Sequence, residues 1–110
     1  MKTKEAQYIV ILITCSSEKE AQKIKDVLLK AKKVACINIV PRVDSFFWWQ
    51  GKIDSCREVL LIAKTRKDVF TDVIKLVKKN HQYEVPEIIA LPIIDGNKDY
   101  LNWIDETVKT

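Results

Sequence analysis

An α+β fold is what this sequence predicts: one four-stranded antiparallel sheet with helices on one face and a further helix closing the chain. Three observations predict it. Apolar runs rich in β-branched and aromatic residues recur at Tyr8 to Thr14, Val34 to Val40, Glu58 to Thr65 and Ile88 to Ile94. Two stripes at helical spacing follow capping signals. Their order is β-α-β-β-α-β and then α, the split βαβ or ferredoxin-like arrangement, and the handedness of crossovers leaves few other ways to connect such elements. At 110 residues the chain is one domain, 1–110.

The first run, Tyr-Ile-Val-Ile-Leu-Ile-Thr, is continuously apolar and reads as a central strand covered on both faces. Ser17 with Glu20 three residues on is a capping box, and Ala21, Ile24, Val27, Leu28 and Ala31 make residues 18–32 a helix. A long hairpin comes next, kinked at Pro41, which has no backbone N–H to donate, and turning at Gln50-Gly51-Lys52. Strands usually run about 5–6 residues, so a ribbon of this length overhangs a small core. Phe46, Phe47, Trp48 and Trp49 sit on the overhang and read as anchors for a partner surface. On the first arm, Ala35, Ile37 and Ile39 take one face, while Cys36, Asn38 and Val40 take the other. Thr65 and Asp68 suggest a second box before the stripe Val69, Phe70, Val73, Ile74 and Val77. His81 to Glu87 is an irregular connection, since Val85 precedes Pro86. A strand over Ile88 to Ile94 holds Pro92 and so belongs at an edge or bulge. Asp95-Gly96-Asn97 turns the chain into a last helix bearing Tyr100, Leu101, Trp103, Ile104 and Val108. The strands are apolar at both parities, Val59 and Leu61 against Leu60 and Ile62, so the helix-free face needs cover, which further copies of the chain would supply.

Composition narrows the function classes. The longest apolar run is far short of the ~20 residues that cross a bilayer and no signal-peptide cleavage pattern is present, so a cytoplasmic protein without membrane partners is expected. Three cysteines without C-x-x-C spacing argue against a disulfide framework or a structural zinc site. The net charge of +4 arises in residues 1–33, with eight Lys against four acids, whereas residues 34–110 balance at eleven each. The lysines interleave with acids on a helix and include no Arg or aromatic residue, so they read as a solvated face; with no RNP1-like pattern either, nucleic acid is not an expected partner. No nucleophile with an orienting second histidine and no Gly-rich phosphate loop occur, which leaves enzyme chemistry without support.

The stretches Ala35-Cys-Ile-Asn-Ile-Val-Pro41, Phe47-Trp-Trp-Gln-Gly-Lys52, Glu58-Val-Leu-Leu-Ile-Ala-Lys-Thr65, His81-Gln-Tyr-Glu-Val-Pro-Glu87 and Ile89-Ala-Leu-Pro92 resemble the CutA family of divalent-cation tolerance proteins. Departures are small: Gln82 stands where the family has Pro after His, and Phe47 where Tyr is common. The resemblance implies a ferredoxin-like subunit in a tight homotrimer built through the long hairpin, clefts between subunits like those of PII signalling proteins, and binding of copper and other divalent cations.

The residues themselves suggest where. His81, the single histidine, is either a metal ligand or an anchor of its connection; as a ligand it would join Glu84 or Cys36 of an adjacent subunit in a mixed N, O and S set. Cys36 is either a packed thiol or a soft ligand. Cys15 should be buried and Cys56 exposed. Lys64 emerges from an apolar strand face and would pair with Glu58, Glu84 or Glu87, or with an anionic ligand. Two readings follow: a homotrimeric copper-binding tolerance protein that is not an enzyme, or a PII-like module holding a small anionic metabolite or nucleotide against Asn38, Lys64, Tyr83 and Trp103.

Overall fold

The computed structural model describes residues 7–110; Lys2 and Lys4, two of the N-terminal basic residues, lie outside them. The elements are β1 (Tyr8–Cys15), α1 (Glu18–Lys30), β2 (Cys36–Trp49), β3 (Lys52–Arg66), α2 (Phe70–Asn80), β4 (Ile88–Pro92) and α3 (Lys98–Thr107). They form a mixed α+β structure with one sheet in the order β2-β3-β1-β4, every pairing antiparallel. The proline-bearing β4 is at the edge, where a missing N–H costs no ladder bond.

Alternation along the strands decides what is core. Ile9, Ile11, Ile13 and Cys15 of β1 and Val59, Leu61 and Ala63 of β3 meet Ala21, Ile24 and Leu28 of α1 and Val73 and Val77 of α2. A smaller cluster joins Ala35 and Val69 to Ile104 and Val108 at α3, with Tyr8 and Leu101 against it. By the same alternation Val10, Leu12, Leu60 and Ile62 point to the face without helices, along with Ile89 and Leu91 of β4, which are 47% and 48% exposed.

The hairpin has arms of 14 and 15 residues. Its ladder shifts register between Val40 and Val43, the kink expected at Pro41. Gln50 and Gly51, with φ of 51° and 78°, make a two-residue turn of the type whose twist matches the flanking strands.

Local details differ from the sequence expectation. Helix α1 stops at Lys30, because Lys32 turns left-handed (φ 55°) while the Lys32 and Lys33 amides bond back to Leu29 and Leu28. The Ser17 hydroxyl does accept from the Glu20 amide, but the Glu20 carboxylate reaches the amide of Ser16 rather than of Ser17. Thr65 caps nothing: β3 runs on to Arg66 opposite Tyr8, and the Thr65 hydroxyl donates to the Lys33 carbonyl at 2.6 Å. A single 3₁₀ turn, Lys67–Val69, then leads into α2. Strand β4 ends at Pro92, two residues earlier than expected.

Candidate metal centre and adjoining groove

Three side chains from separate parts of the chain meet at the end of the sheet where β1 finishes. Cys15 is the last residue of β1, Glu20 lies in the first turn of α1, and His81 follows α2. Their Sγ, carboxylate oxygen and ring nitrogen all lie within 4.8 Å of one another. The His81 ring is wholly buried, with Nε2 at 2.8 Å from the Thr14 carbonyl and 3.4 Å from Glu20 Oε1. Because Nδ1 accepts the Tyr83 amide at 3.1 Å, the proton of the neutral ring is on Nε2, which donates to Thr14. Glu20 accepts the Ser16 and Gln82 amides at 2.9 and 2.8 Å and the Ser16 hydroxyl at 3.2 Å. Burial alone would raise the Glu20 carboxyl, but those donors and the His81 ring outweigh it and hold it below the usual carboxylate range. Burial, reinforced by the charges of Glu20 and Glu58, pushes the Cys15 thiol up to about 12.

Sulfur, oxygen and nitrogen donors at this spacing fit a borderline or soft divalent ion such as copper or zinc. Binding one would require His81 to give up a backbone hydrogen bond and Cys15 to lose its proton, so uptake would be coupled to proton release.

Next to this cluster runs a groove of about 880 Å³ between the hairpin overhang and the connection after α2. Phe46, Phe47 and Trp49 line it on the hairpin, Tyr83 and Val85 on the connection, and Asp54, Glu58, Glu84 and Glu87 supply carboxylates. The Tyr83 hydroxyl donates to Glu58 at 3.0 Å and stands 3.7 Å from Cys56 Sγ. Burial first, then these two neighbours, raises the Tyr83 pKa. Cys56 is half-buried rather than exposed.

The remaining sequence candidates divide between the two ends of the sheet. Cys36 pairs with Lys64 across β2 and β3, whereas Cys15 pairs with Val59. Val59 and Lys64 are five residues apart on one strand, roughly 17 Å, so within one chain Cys36 stands far from His81. Lys64 pairs with none of the three expected glutamates: its ammonium donates to Asn38, with Cys36 Sγ at 3.9 Å. Register explains this, because Lys64 faces β2 at the end of the sheet opposite Glu58 and the connection after α2. Tyr100 joins that corner, its pKa raised by burial and then by Cys36, and its ring lies 5.4 Å from that of Trp103. Tyr83, grouped with Asn38, Lys64 and Trp103 in the anion-binding reading, is instead beside His81, ring centroids 4.9 Å apart. Glu84 is exposed and lines the groove. On the hairpin, Phe46 and Trp48 are 74% and 72% exposed, while Phe47 and Trp49 take the alternate face, opposite Asp54 and Lys52. Cys15 and Glu20 are the members of the cluster that sequence reasoning missed. Glu20 already had a local role as a capping residue, and nothing in the order of residues announces that His81 returns to it.

Comparison with known proteins bears on what this arrangement is for. Residues 9–107 match the family model described as CutA1 divalent ion tolerance protein. The Divalent-cation tolerance protein CutA of Archaeoglobus fulgidus is 48% identical over 90% of this chain and 96% of its own length, and that of Thermus thermophilus is 44% identical over 88% and 94%. The chloroplastic protein CutA 1 of rice is 40% identical over 92% of this chain, which spans 57% of the longer plant protein. Among solved structures, the periplasmic divalent cation tolerance protein CutA of A. fulgidus superposes with a TM-score of 0.90 at 46% identity, covering 93% of this chain and 99% of that one. Rice CutA1 gives 0.91 at 38% identity, covering 96% of each. The five motifs, the matched sheet and helices, and the extent of these alignments make this chain a member of the CutA1 divalent ion tolerance protein family.

Proposed function

We propose that this chain binds a divalent cation, copper foremost, as a ferredoxin-like homotrimer that serves in metal tolerance and catalyses no reaction. The observation that carries the reading is the convergence of Cys15, Glu20 and His81, three different donor types within 4.8 Å. The strand order and antiparallel pairings support the ferredoxin-like description. The exposed Phe46 and Trp48 and the uncovered apolar sheet face support assembly. In such an assembly Glu84 or Cys36 of a neighbouring copy would add a fourth ligand, the role first assigned to them. Three free cysteines support a reducing compartment, hence the cytoplasm for this chain, whereas relatives are described as chloroplastic or periplasmic. No helix among the described residues is long and apolar enough to cross a membrane.

Native mass spectrometry with Cu(II) and with zinc tests the reading, since it counts subunits and ions together. The expected result is a trimer taking up whole numbers of ions, with uptake weakened at least tenfold by Cys15→Ser and by His81→Ala. One bound proton released per ion makes affinity rise about tenfold per pH unit below the Cys15 pKa. Equal affinity in both variants, or a monomer, would sink the proposal.

A further inference from the structure

His81 is the single histidine of the chain, and both of its ring nitrogens are engaged: Nε2 donates to the Thr14 carbonyl at 2.8 Å and Nδ1 accepts the Tyr83 amide at 3.1 Å. A ligating histidine gives one nitrogen's lone pair to the ion and ordinarily donates its other ring N–H to a carbonyl or carboxylate. With Tyr83 in place, neither nitrogen meets both conditions. Ligation through Nε2, the nitrogen 3.4 Å from Glu20 Oε1, moves the ring proton to Nδ1, where it meets the Tyr83 N–H, donor against donor. Ligation through Nδ1 keeps Nε2–H on Thr14, but the lone pair it needs is the one the Tyr83 amide occupies. Both routes break the same hydrogen bond. The preceding amide is spared, because Gln82 N–H is held by Glu20 Oε2 while the oxygen turned toward His81 is Oε1.

We propose that the Tyr83 amide is a clamp on His81 that opens when the Cys15, Glu20 and His81 cluster is loaded, so that the connection after α2, hinged between Gln82 and Tyr83, reports metal occupancy. The coupling rests on the metal-binding reading above and gives that site a regulatory output. Tyr83 is placed to pass the change on. Its ring lies against His81 with centroids 4.9 Å apart, and its hydroxyl donates to Glu58 of β3 at 3.0 Å, so a displaced Tyr83 backbone is felt on the long hairpin. Linkage makes the coupling reciprocal: whatever holds the Tyr83 amide on His81 weakens uptake of the ion.

Zinc, which is diamagnetic, added to the isotopically labelled intact protein tests this by NMR, with native mass spectrometry counting the ions bound. The metal-free ring should show the Nε2–H tautomer, read without ambiguity because one histidine gives one set of ring signals. With zinc bound, the ring signals should change and exchange of the Tyr83 amide with solvent should accelerate by at least about fivefold, while that of Gln82 changes by less than about twofold. His81→Ala should show the fast Tyr83 exchange without zinc and no response to it. Zinc taken up, and lost in Cys15→Ser, with Tyr83 exchange unchanged overturns the coupling and leaves the metal site standing. Equal acceleration at Gln82 and Tyr83 also overturns it, since the connection then loosens as a whole and has no hinge. Absence of zinc uptake removes the metal reading and the coupling together.

Discussion

Glu20 ties two connections together. Its carboxylate holds the amide of Ser16, before α1, and the amide of Gln82, 62 positions further along the chain. Hydrogen bonds to a charged group contribute about 1.5–3 kcal/mol each when a partner is removed. Glu20→Gln leaves one amide facing a donor, and we expect a loss of about 2 kcal/mol at pH 7 by urea unfolding. The pH dependence has a definite sign. The folded carboxyl titrates below its unfolded value of about 4.3, so its stabilisation is present above that pH and is lost as pH falls through the folded value. The variant should therefore lose less stability than the parent on acidification from pH 5 to pH 2. An identical acid limb in both proteins would show that Glu20 is not the group responsible.

At the scale of elements, the hairpin turn is a place where sequence and backbone disagree slightly. Both turn residues have positive φ, which glycine adopts freely and a side chain such as that of Gln50 adopts at a cost of about 1–2 kcal/mol. Asparagine tolerates this region better and is preferred at the first position of such turns. Gln50→Asn should raise the unfolding free energy by about 0.5 kcal/mol, and Gly51→Ala should lower it by about 1 kcal/mol, both read from thermal melts at fixed protein concentration. A Gly51→Ala protein as stable as the parent would contradict the turn geometry. Helix α1 shows the same economy, since Lys32 occupies the left-handed position after the helix that glycine usually takes.

The molecule as a whole leaves much apolar surface open for its size: Phe46, Trp48 and Ile53 on the hairpin, Ile89 and Leu91 on the helix-free face. Isolated exposed apolar residues are ordinary, but a continuous set on a long strand pair marks an interface. If assembly covers it, folding is coupled to association and melting depends on concentration. Phe46→Ala with Trp48→Ala should then dissociate the oligomer and lower the melting temperature by more than 5 °C, with light scattering reporting the mass. A double variant of unchanged mass and melting temperature would remove these residues from the interface.

The order of elements, the cap at Ser17, the kink at Pro41, the edge placement of β4 and the buried Cys15 were all legible in the amino-acid order, as was the family, because each depends on local chemistry or on motifs read along the chain. Periodicity also showed that Cys36 and Asn38 share a strand face. It did not show that Lys64 would satisfy itself on Asn38 rather than on a glutamate, or that Tyr83 and Trp103 would part to opposite ends of the sheet. It also did not join Cys15 and Glu20 to His81. Those outcomes depend on the register of β1 and β2 against β3 and on the path of the connection after α2. Register is set by how whole strands align and which side chains the shared core accepts, a long-range choice that spacing along the chain does not encode.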